Sequence, residues 1–178
     1  IEKAIGQYIK DHPEAILDSV QAFQIRKAEE EMQKAQVKAE ESISTKQQEL
    51  EQDAATPVIG NPQGDVTLIE FFDYNCGFCK RVQPALEKLV NEDNNVRVVM
   101  KELPILSPVS EIAARAALAA HAVAPEKYAA LHNALMAARL TDKHSVLEVV
   151  KQVGLDETAI SQRMEEEQIT AYLTKNRQ

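Results

Sequence analysis

The sequence predicts an α/β fold: a β-α-β unit carrying a pair of cysteines, with a long helical segment before it and a helical region after it. Three observations predict this. Residues 66–72 (V-T-L-I-E-F-F) are β-branched, aromatic and nearly all apolar, the pattern of a central strand buried on both faces. Cys76 and Cys79 follow directly, spaced C-x-x-C, and open a helical pattern of Val82, Leu86, Leu89 and Val90. From Pro108 onward the chain reads as helix throughout, interrupted only by cap and turn residues.

Taken in order, residues 1–11 give a short amphipathic helix with Ile1, Ile5, Tyr8 and Ile9 on one stripe. Asp11, His12 and Pro13 break it, and Pro13 opens a second helix because proline suits a first helical turn. That helix carries Ile16, Leu17, Val20 and Phe23 at helical spacing. It then becomes strongly charged from Arg26 to Glu51, with Met32, Ala35, Ala39 and Ile43 as a thin apolar thread. So narrow a strip has little to pack against within one chain, so residues 1–51 are expected to assemble copies of the chain, with residues 26–51 as coiled coil or flexible spacer.

Pro57, Gly60, Pro62 and Gly64 mark a boundary, within which Val58 and Ile59 form a short strand. The strand 66–72 ends at Asp73, Tyr74 and Asn75. Val96–Met100 is a second buried strand, so the two strands run parallel with a right-handed crossover. Ser110 is expected to cap an Ala-rich helix to Val123, and Pro125 to start another to Leu140. Thr141 or Asp142 caps a third, ending at Val153 and stopped by Gly154; Asp156 caps a fourth through Glu165, Glu166 and Glu167; residues 169–178 form a further helix or its continuation. The organisation expected is thus a helical arm and linker over 1–53, the β-α-β unit over 54–107 and a helical domain over 108–178.

Composition bounds the function. At 178 residues, 44% hydrophobic and 27% charged, the chain can build a real core and is neither disordered nor a membrane protein. The net charge is -8; residues 1–56 hold seven basic and twelve acidic groups, the rest thirteen and sixteen. Neither part has the basic footprint that phosphate backbones demand, so no nucleic-acid partner is expected. No apolar run approaches the ~20 residues that span a bilayer. The sequence opens on Ile1, and removal of an upstream secretory leader is expected.

The C-x-x-C pair reads as a redox site, half a metal site or coincidence. A sulfur where a buried strand hands over to a helix faces the unpaired N–H groups of the first turn, which favour its anion. On that reading Cys76 is the attacking thiol, and Cys79, one turn on, closes or releases the disulfide. Gly77 and Phe78 between them add no charge, and Gly77 lets a substrate backbone approach. Zinc needs about two further ligands, and His12, His121, His132 and His144 are not paired at ligand spacing. Haem attachment needs histidine where Lys80 stands. A soft ion such as Cu(I), held by both cysteines, is the alternative. His121 and His132 read as core or surface residues.

The run Cys76-Gly77-Phe78-Cys79-Lys80 followed by Pro84 resembles the active-site helix of thioredoxin-fold proteins. Residues 69–76 (I-E-F-F-D-Y-N-C) and 101–106 (K-E-L-P-I-L) more specifically resemble the bacterial DsbA-type thiol:disulfide oxidoreductases. The opening, Tyr8-Ile9, His12-Pro13-Glu14 and Ile16-Leu17, is similar to the oligomerisation arm of the ScsC group. The resemblance implies a thioredoxin-like β-α-β core with a large helical insertion over 108–178. It also implies a disulfide oxidoreductase or isomerase with a redox-active Cys76–Cys79 disulfide and no other cofactor. Cysteine-containing client proteins, a membrane redox partner protein and periplasmic localisation follow from it; disulfide chemistry itself favours an oxidising compartment. Glu70, six residues before Cys76, takes the place of the family's acidic residue beneath the site; a carboxylate on a buried strand is costly, and it would relay a proton to Cys79 unless it is solvated or paired with Lys101. The family closes its sheet with a further ββα half led by a cis-proline. No proline follows Pro125, so about 40–60 further residues, enough for two strands and a helix, are expected after Gln178.

Overall fold

The computed structural model describes residues 2–178, which divide after residue 48 into two compact units. Ile1, expected on the first apolar stripe, lies outside the described residues. The first unit holds α1 (Glu2–Asp11) and most of α2 (Pro13–Gln52). Pro13 begins α2, and no glycine or further proline interrupts its 40 residues. Pairs such as Lys27–Glu31 and Gln36–Glu40 at i,i+4 support the exposed helix. None of its residues is buried, and Leu17, Phe23 and Met32 are 69%, 60% and 70% exposed, so the apolar stripe lies open.

The second unit is built on a three-stranded sheet of order β1-β3-β2. β3 (Val96–Glu102) is central, with β1 (Val58–Gly60) antiparallel on one side and β2 (Val66–Phe72) parallel on the other, Val66 opposite Val96 and Phe72 opposite Glu102. β2 therefore differs from its sequence reading. It is an edge strand among the described residues, with Val66 and Phe71 exposed, whereas β3 has neighbours on both sides and is buried along nearly its whole length. Gly60 ends β1 at φ 81°; a Cβ there would stand 2.5 Å from the Val96 carbonyl oxygen, so only glycine fits.

α3 (Gly77–Glu92) crosses from β2 to β3. Its inward stripe is Cys79, Gln83, Leu86 and Val90, at helical spacing; Val82 and Leu89, expected inside, are exposed. α4 (Pro108–Val123) forms the core of the helical part, with alanines at 113, 114, 116, 117, 119 and 120 all buried so that neighbouring backbones approach closely. Its cap is Ser107, not Ser110: the Ser107 hydroxyl accepts the Ser110 N–H at 3.2 Å, leaving Pro108 at the first helical position. A 3₁₀ turn at Pro125–Lys127 leads into α5 (Tyr128–Ala137), which stops before Leu140. Asp142 caps α6 (Lys143–Gln152) in a capping box with Ser145, and Gly154, at φ 74°, ends it. Asp156 caps α7 (Glu157–Arg163), a helix too short to include the acidic run, and α8 (Glu167–Asn176) follows.

Candidate functional site

The site is assembled where β2 ends. Asp73 is buried, and its carboxylate accepts three backbone N–H groups: Asn75 at 2.7 Å through Oδ1, Ile105 at 2.9 Å and Leu106 at 3.0 Å through Oδ2. Asn75 donates to the Ser107 hydroxyl at 2.9 Å. The loop that leads to the cysteines is thus bound to the loop that leaves β3, and the two are fixed together by charge-assisted bonds.

Cys76 is the N-cap of α3, in extended backbone conformation (φ -76°, ψ 113°), and its Sγ accepts the Cys79 N–H at 3.4 Å. The Cys79 side chain as hydrogen-bond donor, followed by the N–H groups of Cys79 and Phe78, holds the Cys76 thiol below the ordinary cysteine range; burial and the nearby Asp73 charge oppose this. Cys79 moves the other way: burial first, then its bond to Cys76, raises its pKa. The two sulfurs are thus shifted in opposite directions, Cys76 toward the more acidic thiol and Cys79 toward the less acidic one.

Gly77 and Phe78 are exposed, Phe78 by 75%, and the Arg81 guanidinium lies 4.2 Å from the Phe78 ring centre. Lys80 turns away to donate to the Ala138 carbonyl. Glu70 is half-buried; its Oε2 has no hydrogen-bond partner, and burial raises its pKa. Its charge in turn raises the pKa of Cys79. Glu70 and Lys101 are not an ion pair: the Lys101 ammonium is buried against the Thr56 hydroxyl at 2.8 Å.

Behind the cysteines lies a polar cluster that the sequence reading missed. The buried Glu102 Oε1 contacts the hydroxyls of Tyr74 at 3.2 Å and Tyr128 at 3.1 Å. Tyr74 also meets His132 Nδ1 at 3.1 Å, and His132 Nε2 meets Gln83 Oε1 at 3.0 Å. Gln83 donates to Asn133 at 2.7 Å, and Asn133 to the exposed Glu87 at 3.1 Å, beside a cavity of about 300 Å³. The available signal was Gln83, a polar residue on the apolar stripe of α3. Among the described residues no three of His, Cys, Asp and Glu gather in a metal-holding group.

A strand that delivers a C-x-x-C pair to a helix N-terminus, joined to a helical insertion, defines the class of thioredoxin-fold proteins that exchange thiols and disulfides. Residues 67–178 match the DSBA-like thioredoxin domain, and the chain belongs to that family. Among solved structures it is similar to a thioredoxin-like oxidoreductase from Silicibacter pomeroyi, with 44% identity and a TM-score of 0.69 over 73% of this chain and 75% of that one. Proteus mirabilis ScsC in a transitional conformation aligns over 98% of this chain and 75% of its own, at 26% identity and TM-score 0.70. A periplasmic thioredoxin-like protein from Salmonella enterica aligns over 72% of this chain and 75% of its own, at 32% identity and TM-score 0.60. A curated relative, the Na(+)/H(+) antiporter NhaA 1 of Salinispora arenicola, is 35% identical over 65 residues, and the match spans only 10% of that protein. No helix among the described residues is long and apolar enough to cross a membrane.

Proposed function

We propose that this DsbA-like protein is an exported disulfide isomerase and oxidase whose arm brings several catalytic units together. The observation that carries the chemistry is Cys76 at the cap of α3, with its sulfur on the Cys79 N–H. The Cys76 thiolate attacks a client disulfide; the client S–S bond breaks, a Cys76–client disulfide forms, and the displaced client sulfur leaves as thiolate and takes a proton from water. A client thiolate then attacks the mixed disulfide and returns Cys76, which is isomerisation. Alternatively Cys79 loses its proton to Glu70 and attacks the Cys76 sulfur, releasing reduced client and leaving the Cys76–Cys79 disulfide. Oxidation of a client dithiol runs this second route in reverse, and a membrane redox partner then reoxidises the pair. Exposed Phe78, Ile105 and Leu106 beside the cysteines offer apolar surface to unfolded clients.

Insulin reduction and reactivation of scrambled ribonuclease, run on the chain and on two variants, test the proposal. Cys76→Ser is expected to abolish both activities. Cys79→Ser is expected to accumulate mixed disulfides, seen as adducts on non-reducing gels. Equal loss in both variants without adducts would overturn the assigned order. Export is supported by the periplasmic description of the Salmonella relative, and retention of the chain in the cytoplasm of its source cell would overturn it.

A further inference from the structure

The direction of every hydrogen bond in the polar cluster is fixed from its outer end. The Glu87 carboxylate accepts, so Asn133 points Nδ2 outward and its Oδ1 inward, where Gln83 Nε2 donates to it. Gln83 Oε1 is then an acceptor, and His132 Nε2 must carry the proton that meets it. A neutral imidazole has one N–H, so Nδ1 is a bare lone pair. Tyr74, 3.1 Å away, must donate there, and its single proton is used. The contact between the Tyr74 oxygen and Glu102 Oε1 at 3.2 Å then lacks a hydrogen unless Glu102 supplies it. With an ionised Glu102, two acceptors face each other at this buried contact; reversing the whole chain relieves it only by turning Asn133 Oδ1 toward the Glu87 carboxylate, which gives up the bond the structure shows there.

We infer that Glu102 is a neutral carboxylic acid in the resting protein, a positioning residue whose proton holds Tyr74 and with it the loop that carries Cys76. The surroundings agree. Glu102 is 0% exposed and its Oε2 is buried without a partner. The titratable groups facing it are Asp73 and Glu70 from β2 and its end, Tyr74 from the loop, Tyr128 from α5 and Tyr172 from α8, and none is a cation. Lys101, next to it on β3, is committed to Thr56. A lone carboxylate here would be unpaired and dry, which is costlier than the acid. Tyr74 lies two residues before Cys76, and the Tyr74 ring packs edge-on to Phe72 at 5.2 Å, so its hydroxyl tethers the loop to the helical part.

Two measurements on the full chain read the protonation state directly. Infrared difference spectroscopy at neutral pH is expected to show a buried carboxylic acid C=O band that is lost in Glu102→Gln. ¹⁵N spectra of the His132 ring are expected to show the Nε2–H tautomer. Absence of the band, or the Nδ1–H tautomer, overturns the inference. The link to thiol chemistry rests on Cys76 being the attacking sulfur and is read separately. Glu102→Gln keeps a donor toward Tyr74 and should leave the Cys76 titration midpoint in place, whereas Glu102→Leu and Tyr74→Phe should move it. A Glu102→Gln shift as large as that of Tyr74→Phe overturns the positioning role, also where Glu102→Leu fails to fold. A Cys76 that never titrates as an acidic thiol overturns the proposed function and leaves the infrared and ¹⁵N results standing.

Discussion

At the scale of single residues, the two sulfurs separate in acidity, and a neutral alkylating reagent reads the difference. Cys76 is expected to be modified at lower pH than Cys79, which lags by a pH interval; mass spectrometry of the reduced protein quenched at each pH assigns the sites. The buried cluster gives a second prediction. Burial lowers the His132 pKa from 6.5 to about 4, so between these values the unfolded chain holds more protons and stability falls as pH falls. Burial raises Glu102 well above 4.5, so the folded chain keeps a proton that the unfolded chain gives up, and stability falls as pH rises above 4.5. The slopes oppose between 4.5 and 6.5. Glu102→Gln removes one of them, so its stability by denaturant unfolding should rise by roughly 3 kcal/mol from pH 4 to 6.5 while the parent stays flatter. The cysteines were legible in the sequence because four neighbouring residues and the change from strand to helix define them locally. Glu102 was not, because it sits beside Lys101 on β3 and only the packing of α5 over the strand separates a buried acid from a surface ion pair.

At the scale of elements, periodicity located nearly every helix and strand, and the errors fell where a choice between neighbours is set by tertiary contact. Val82 and Leu89 lie outside and Gln83 inside because the buried stripe of α3 follows Cys79, one residue off the apolar pattern. Ser107 takes the cap from Ser110 because Asn75 reaches it across the site. The apolar content of β2 suggested burial on both faces, yet sheet order is a property of pairing that composition does not carry. The bend at the end of β1 is testable: Gly60→Ala puts a methyl against the Val96 carbonyl at a positive φ, and a loss of about 2 kcal/mol is expected as a lower denaturant midpoint with unchanged slope.

At the scale of the whole molecule, the apolar residues of α1 and the first half of α2 are open to solvent, while the catalytic unit has its own core. The division falls at residue 48, five residues before the end of the expected arm, because the last turn of α2 belongs to the second unit: Glu49 pairs with Lys175 at 3.2 Å, and the Glu51 carbonyl accepts from Arg97 at 2.7 Å. Removing residues 1–48 rather than 1–51 keeps these contacts. Light scattering of that shortened chain should give a single protomer, with insulin reduction retained and ribonuclease reactivation reduced by roughly an order of magnitude or more as neighbouring sites are lost. An unchanged mass would refute the arm's role.

The inner cluster ends, on its outer side, at one carboxylate on the surface of α3 that accepts from Asn133. Exchanging Glu87 for lysine would remove the acceptor that Asn133 now meets, the outermost member of a hydrogen-bonded chain that runs through Gln83 and His132 to the tyrosine beside the nucleophile. A position that a surface scan would class as indifferent is therefore linked, bond by bond, to the loop that carries the reactive sulfur.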